Sequence, residues 1–303
     1  MLAAVIVTYN RKKLLCENLK MLYKQSIVFD KIIVVDNCSN DGTYEYLNQQ
    51  GYTIKNNFVY LKTESNIGGA GGFYIGTKYA YEISADWILL MDDDGQPANE
   101  YTFEELTKVA YYLYNKNVNG GKLFVNSLVQ KDNLLSFKIN DMYTVKEALE
   151  YAKNGIIENA ANPFNGTLIS RELIKEIGYP NKDFFIKGDE VDFKQRAYDV
   201  GAYVCTVINS RYIHPRPKTY EKKILGIKVP FFVEAPWKEY YTCRNFTYMY
   251  KEKKQYKAIV FELLLVKFLA ICSFKCPKLK TMGFVLRGFK DGWKGRLGPI
   301  VRP

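Results

Sequence analysis

Three consecutive carboxylates, Asp92, Asp93 and Asp94, close the apolar run in WILLMDDDGQP (87–97). Crowded like charges resist ionising together, and a divalent cation relieves that repulsion. At a strand end, residues i and i+2 point to one side, so Asp92 and Asp94 converge while Asp93 turns away. Two such oxygen ligands suit Mg²⁺ or Mn²⁺, which complete their shells with phosphate oxygens and water. Taken alone, the triplet fits a solvated acidic turn ahead of Gly95 and Pro97 equally well. A second acidic group, Asp189, Glu190 and Asp192, follows a glycine at a helix start in FFIKGDEVDFKQR (184–196). The helix dipole favours carboxylates there, and a carboxylate held ionised also makes a general base. Arg196 falls on the face of Asp189 and Asp192 and is expected to pair with them. The single histidine, His214 in RYIHPRP (211–217), ends another apolar run. Its nitrogen could join the same cation, with a softness suited to Mn²⁺ over Ca²⁺.

These residues need a frame. The runs LAAVIVT (2–8), KIIVVDN (31–37), NFVYLKT (57–63) and ADWILLMDDD (85–94) read as strands, alternating with helix-like segments. That alternation predicts an α/β fold, a mostly parallel sheet with helices on both faces. Ligands of such sheets sit at the carboxyl ends of the strands. Here those ends read Thr8-Tyr9-Asn10, Asp36-Asn37, Glu64-Ser65-Asn66 and Asp92-Asp93-Asp94. All four are polar, which favours a cation over an idle acidic turn. The glycine run ESNIGGAGGFYIG (64–76) matches neither the dinucleotide fingerprint nor a phosphate-binding P-loop. It reads as a loop opening a helix, where N–H groups approach an anion or sugar ring, or as a close helix–sheet connection. Further on, SRELIKEIG (170–178) and DEVDFKQRAYDVG (189–201) are helices with glycine stops, AYVCTVINS (202–210) is a strand, and residues 214–230 are expected to form a loop.

Composition bounds the partners. The chain has 303 residues, 48% hydrophobic, enough for one large α/β domain with an appendage. No run approaches the ~18–20 apolar residues of a membrane span, and the first apolar run is too short for a signal peptide. A cytoplasmic protein is therefore expected. Six scattered cysteines without a CxxC pair indicate reduced thiols. Most of the net charge of +11 lies in residues 251–303, where 13 Lys and Arg face three acids. Such a tail seeks phosphates, on nucleic acid or on an anionic membrane. Residues 257–295 mix bulky apolar groups with lysines, the profile of a helix lying in a membrane interface; a helical subdomain or a dimer surface has the same profile. The near-neutral body, with acidic strand ends, argues against nucleic acid.

Seven segments (VIVTYNR, VVDNCSNDGT, ESNIGGAGGF, LMDDDGQP, FNGTLISRELI, FFIKGDEVDFKQR and RYIHPRP) occur in the order found in family 2 glycosyltransferases of the GT-A fold. Over about residues 1–250 the chain resembles their bacterial galactofuranosyl- and rhamnosyltransferase branch. The resemblance implies a nucleotide-sugar half at about 1–100, an acceptor half at about 101–250, and a basic helical extension over 251–303. By the same resemblance Thr8, Tyr9, Asn10, Arg11, Asp36 and Asn37 would line the base pocket, while Glu64, Asn66 and the loop from Gly68 and Gly69 to Gly72 would hold the ribose and diphosphate. Asp93 would belong to the nucleotide site, and Asp92, Asp94 and His214 would hold Mn²⁺ or Mg²⁺. Glu190 would be the nominal base; the family more often has aspartate there, which leaves Asp189 a competitor. Asn165, Gly166, Trp237 and Arg244 would face the acceptor, with Arg244 meeting an acceptor phosphate. The implied reaction is inverting, metal-dependent transfer from a UDP- or dTDP-sugar to a lipid-linked glycan, by an enzyme peripheral on the inner face of the membrane and possible as a homo-oligomer. A non-catalytic sugar-nucleotide binder and a nucleic-acid binder are the alternatives.

Overall fold

In the computed structural model, residues 1–216, 219–224, 227–232, 234–251, 268 and 278–302 are described. The first half builds a parallel sheet from β1 (Leu2–Thr8), β2 (Lys31–Asp36), β3 (Phe58–Lys62) and β4 (Trp87–Asp92), connected through α1 (Lys12–Leu22), α2 (Thr43–Gln49) and α3 (Gly68–Glu82). Every residue of β1 is buried, as a strand covered on both faces requires. Leu2, Ala4 and Ile6 join Leu15, Leu19 and Leu22 of α1 on one face, and Ala3, Val5 and Val7 join Phe73 and Ala80 of α3 on the other. Glycines bring α3 close: a Cβ at Gly72 would stand 2.4 Å from Val7, and one at Gly76 would stand 2.3 Å from Val5. The close-packing reading of the glycine run therefore holds for its C-terminal part.

The second half contributes β5 (Gln96–Pro97), α4 (Thr102–Asn115), β6 (Leu123–Lys131), β7 (Leu134–Ile139), β8 (Met142–Thr144), α5 (Val145–Tyr151), β9 (Ile156–Glu158), β10 (Asn165–Ser170), α6 (Arg171–Ile177), α7 (Asp189–Asp199) and β11 (Tyr203–Ile213). The strand order is β3-β2-β1-β4-β10-β6-β11-β5. β10 runs antiparallel between β4 and β6, so its beginning, not its end, lies at the carboxyl edge of β4. Ser170 caps α6 by accepting from Leu173 N–H, and Gly178 ends it at φ 71°, as the sequence predicts.

Residues 214–230 differ from the expected loop. Within them β12 (Thr219–Ile224) and β13 (Ile227–Phe232) pair as an antiparallel hairpin, separate from the main sheet. Next come α8 (Pro236–Tyr250) and, at the C-terminal end, α9 (Lys278–Trp293). α9 packs on α8 through glycines: a Cβ at Gly288 would meet Tyr240 O at 2.4 Å, and one at Gly292 would meet Arg244 O at 2.2 Å. This part of the basic extension is thus docked on the body. Residues 252–267 and 269–277 of it lie outside the described residues.

Candidate active site

The sheet register brings the polar strand ends together. Thr8 pairs with Asp36, Val7 with Asp92 and Asn165 with Met91, while Asp92 N–H donates to Phe164 O at 2.9 Å. The ends of β1 and β2 are interlaced: Asn10 N–H donates to Ser39 Oγ at 2.8 Å, and Asn40 N–H donates to Asn10 Oδ1 at 2.8 Å. Tyr9 is 44% exposed above this edge. Asn66 Oδ1 accepts from Gly68 N–H at 2.9 Å, and Gly68 opens α3 at φ 77°. A Cβ at Gly69 would point into open space, which leaves the first turn of α3 accessible to a ligand. Glu64 stands exposed at the end of β3.

The three aspartates divide as the strand geometry requires. Asp93 turns away, accepting from Thr8 Oγ1 at 2.7 Å and from Arg11 Nη1 at 2.9 Å. Asp92 and Asp94 converge with His214, ligand atoms of all three lying within 4.8 Å of one another. His214 Nε2 is 3.2 Å from Asp94 Oδ1, and Arg11 Nη1 is 2.9 Å from Asp94 Oδ2. Burial, then the charges of Asp94 and Asp93, push Asp92 up to about 8. Burial opposes ionisation of Asp94 too, but His214 and Arg11 outweigh it and hold Asp94 below the usual carboxylate range. The same pairing, against burial, raises His214. Two carboxylates and one imidazole with one ligand atom each form a mixed O/N donor set that fits Mn²⁺ or Mg²⁺. The repulsion that raises Asp92 is what a divalent cation would remove.

Asp189 and Glu190 begin α7, behind Gly188 at φ 85°. Asp189 is 5% exposed, and burial followed by the Glu190 charge pushes it well above the ordinary carboxylate range. Glu190 is half-exposed. The Asp92 charge also acts on Asp189, so the acid pair lies within electrostatic range of the Asp92–Asp94–His214 cluster.

Several expected contacts fall elsewhere. Asp36 is fully buried and accepts from Ser39 N–H at 2.8 Å and from Tyr60 O–H, so it shapes the pocket from behind. Asn37 is likewise turned inward, donating to Gly68 O at 2.7 Å and tying β2 to the start of α3. Arg196 pairs with Asp192 at 2.9 Å and donates to Ile177 O and Tyr179 O, turned away from Asp189. Arg244, expected on an acceptor phosphate, is 0% exposed; backbone carbonyls of residues 183, 184 and 298 take its donors. Trp237 is half-buried, edge-on to Tyr241. Asn165 is buried beside the site with its Oδ1 unpartnered, and Gly166 follows at φ 66° in a bulge.

Three residues of this region went unread in the sequence. Asn18 donates from Nδ2 to Asp92 O and Gly95 O, bracing the acidic turn. Its signal was available: Asn18 is a polar residue on the face of α1 that carries Leu15 and Leu22. The Tyr212 ring fills the space beneath Gly95, where a Cβ would stand 2.4 Å from it. Asn245 gathers backbone carbonyls ahead of Asp189; its signal was the Tyr-Tyr-x-x-Arg-Asn pattern of residues 240–245, shared with the family branch the chain resembles, in which only Arg244 was given a role.

A Rossmann-like sheet with Asp92, Asp94 and His214 clustered at its carboxyl edge, and an acid pair nearby, has the GT-A architecture. Residues 3–177 match the family model described as Glycosyl transferase family 2, and the chain belongs to that family. The chain is 28% identical over 254 residues to galactofuranosyltransferase GlfT1 of Mycolicibacterium smegmatis, covering 81% of this chain and 82% of that protein. It is 25% identical over 264 residues to dTDP-rhamnosyl transferase RfbF of Shigella flexneri, covering 80% and 77%. Among solved structures, S. aureus TarS 1-349 superimposes with a TM-score of 0.57 at 18% identity, over 97% of this chain and 81% of that one. Mannosyltransferase PcManGT from Pyrobaculum calidifontis, in complex with GDP-Man and Mn²⁺, gives 0.57 at 14% identity, over 97% and 82%. The chain is therefore a sugar-transferring enzyme of glycan biosynthesis, which sets aside the non-catalytic and nucleic-acid alternatives as its main activity.

Proposed function

We propose that this enzyme transfers a sugar, with inversion, from a UDP- or dTDP-linked donor to a hydroxyl of a lipid-linked glycan. The observation that carries the reading is the convergence of Asp92, Asp94 and His214 within 4.8 Å, with the Asp189–Glu190 pair near enough to feel the Asp92 charge. Asp92, Asp94 and His214 would hold Mn²⁺ or Mg²⁺. When bound, that ion neutralises charge on a departing diphosphate. Thr8, Tyr9, Asn10 and Arg11 face the base, with Asp93 fixing Thr8 and Arg11 from behind. Glu64, Asn66, Gly68 and Gly69 bound the ribose–diphosphate region. Glu190, the half-exposed member of its pair, accepts the acceptor hydroxyl's proton as that oxygen bonds to the anomeric carbon. The anomeric C–O bond breaks on the opposite side, and its electron pair leaves with the diphosphate. Asp189, buried and pushed well above the ordinary carboxylate range by burial and the Glu190 charge, supports Glu190 from within. Asn165 and Trp237 border the acceptor.

The lipid-linked acceptor and the membrane contact draw support from α9. Leu279, Leu286 and Trp293 recur every seven residues along one line of the helix and are 91%, 55% and 46% exposed. Exposed Lys280, Arg287, Lys290 and Lys294 flank them. Apolar groups rimmed by cations suit the interface of an anionic leaflet.

The test begins with a thermal-shift screen of UDP- and dTDP-sugars with and without Mn²⁺. With the donor so found, Glu190→Gln should cut transfer to an octyl glycoside acceptor by about 10²-fold or more, the usual contribution of a general base. A Glu190→Gln enzyme with near-normal turnover refutes the base assignment.

A further inference from the structure

The loop leading into Asp189 and Glu190 has an unusual backbone. Phe185 and Lys187 lie at φ 65° and 66°, and Gly188 follows at 85°. Bulky side chains avoid that region, so the surroundings must hold the loop in it.

Tracing the loop's carbonyls shows what does. Arg244 Nη2 donates to Asp183 O at 3.1 Å and to Phe184 O at 2.8 Å. Asn245 Nδ2 donates to Phe184 O at 3.1 Å, Ile186 O at 2.9 Å and Lys187 O at 2.6 Å. Phe185 O, which the two side chains leave, accepts from Ala70 N–H of α3 at 3.1 Å. Arg244 Nε donates to Asn245 Oδ1 at 2.7 Å, which turns the amide N–H groups toward the loop. A brace lies behind this pair. Arg244 Nη1 donates to Gly298 O, Gly298 N–H donates to Asp183 O at 2.7 Å, and Val301 N–H donates to Tyr241 Oη at 3.0 Å. Both Arg244 and Asn245 are wholly buried. A buried guanidinium is tolerated only when its donors are filled, and here carbonyls of the loop and of residue 298 fill them.

We propose that Arg244 and Asn245 are positioning residues for the transfer step, which hold loop 183–188 in its left-handed backbone so that Glu190 meets the acceptor hydroxyl in line, with residues 298–301 as their brace. The proposal rests on the assignment of Asp189 and Glu190 as the base pair. A general base displaced by about 1 Å costs on the order of 10²-fold in rate, while binding elsewhere is untouched. Thr8, Arg11, Asp94 and His214 are held from other elements, and the loop reaches the donor region only through Phe185 O, a carbonyl that neither Arg244 nor Asn245 touches, so the defect should appear mainly in kcat rather than in donor binding.

Asn245→Asp tests this. It keeps the size of the side chain and the bond from Arg244 Nε, and replaces three donated hydrogen bonds with a repelling oxygen. Transfer kinetics are measured with the donor from the screen and an octyl glycoside acceptor, beside calorimetric binding of Mn²⁺ with UDP or dTDP, and melting temperature. The expected result is a kcat lowered by about 30- to 100-fold, with donor KM and nucleotide Kd within about threefold of wild type. Arg244→Lys, which retains a charge but not the fork, should keep more kcat than Arg244→Met and serves where Asn245→Asp does not fold. Glu190→Gln is run alongside. If Glu190→Gln is inactive while Asn245→Asp and Arg244→Met keep kcat within threefold, the positioning role is overturned. Parallel losses of kcat and nucleotide affinity overturn it in favour of plain structural support. An active Glu190→Gln overturns the base assignment instead, and removes the route by which these residues would act.

Discussion

Asp92 is the residue on which the site's ionisation turns. Its folded pKa of about 8 lies above the ordinary 3.8, so the folded, metal-free protein binds a proton there that the unfolded chain releases. Stability from this group therefore falls as pH rises from about 4 through 8. His214, raised above its ordinary value, acts in the same sense: its contribution is present below the unfolded pKa and lost as pH climbs through the folded one. Asp94, held low, contributes above the usual carboxylate pKa and loses that contribution only in acid. In EDTA, the melting temperature should fall by a few degrees between pH 5.5 and 8.5. Mn²⁺ should raise it more at pH 8 than at pH 5.5, because at the higher pH it meets carboxylates already free of protons. A melting temperature that is flat across this range, with and without Mn²⁺, would dismiss the cation cradle. The sequence made Asp92, Asp94 and His214 legible because each ends an apolar run, where the chain has no reason to place charge unless it is used. It could not show that Asp36 and Arg244 turn inward. Inward and outward differ there by which partners lie nearby, the Tyr60 hydroxyl for Asp36 and backbone carbonyls for Arg244, and those partners come from chain segments more than 20 residues away.

At the level of elements, α3 is tied to loop 183–188 as well as to β1. Gly68 sits at φ 77°, and a Cβ there would stand 1.9 Å from Phe185 O. Gly68→Ala should therefore destabilise the fold by about 1–3 kcal/mol in urea titration, since it combines left-handed strain with a backbone clash. It should also lower transfer, because relief comes only by moving Phe185 away from α3. Gly51→Ala, at φ 75° with nothing within 4 Å, is the control and should cost less in stability and nothing in transfer. The parallel strands were legible nearly to the residue, because fully buried strands are written as continuous apolar runs. The β12–β13 hairpin was not. Its strands pair only with each other, outside the main sheet, so lysines and prolines stand where alternation would mark a strand. The reversed direction of β10 was hidden as well, since a buried strand reads alike in both directions.

For the molecule as a whole, the charge lies at one end of the chain, and the described part of that end is packed on the body. α9 is docked on α8, and its outward line of Leu279, Leu286 and Trp293 is ringed by cations. Sedimentation with phosphatidylglycerol vesicles should bind the enzyme, and Leu286→Glu should reduce binding several-fold without altering turnover on a short, water-soluble acceptor. Each cation near the leaflet adds about 1 kcal/mol, so 0.5 M salt should weaken binding further. Equal partition of wild type and Leu286→Glu would remove α9 from the membrane. Among the described residues no helix is long and apolar enough to cross a bilayer.

The hydrogen bond from Gly298 N–H to Asp183 O joins residues separated by more than a third of the chain. During synthesis the strands β1–β4 and the acidic turn emerge from the ribosome well before residue 298 is made. A chain cut short before residue 298 would lack this tie, and under the proposed roles it should still bind nucleotide sugar while transfer is impaired.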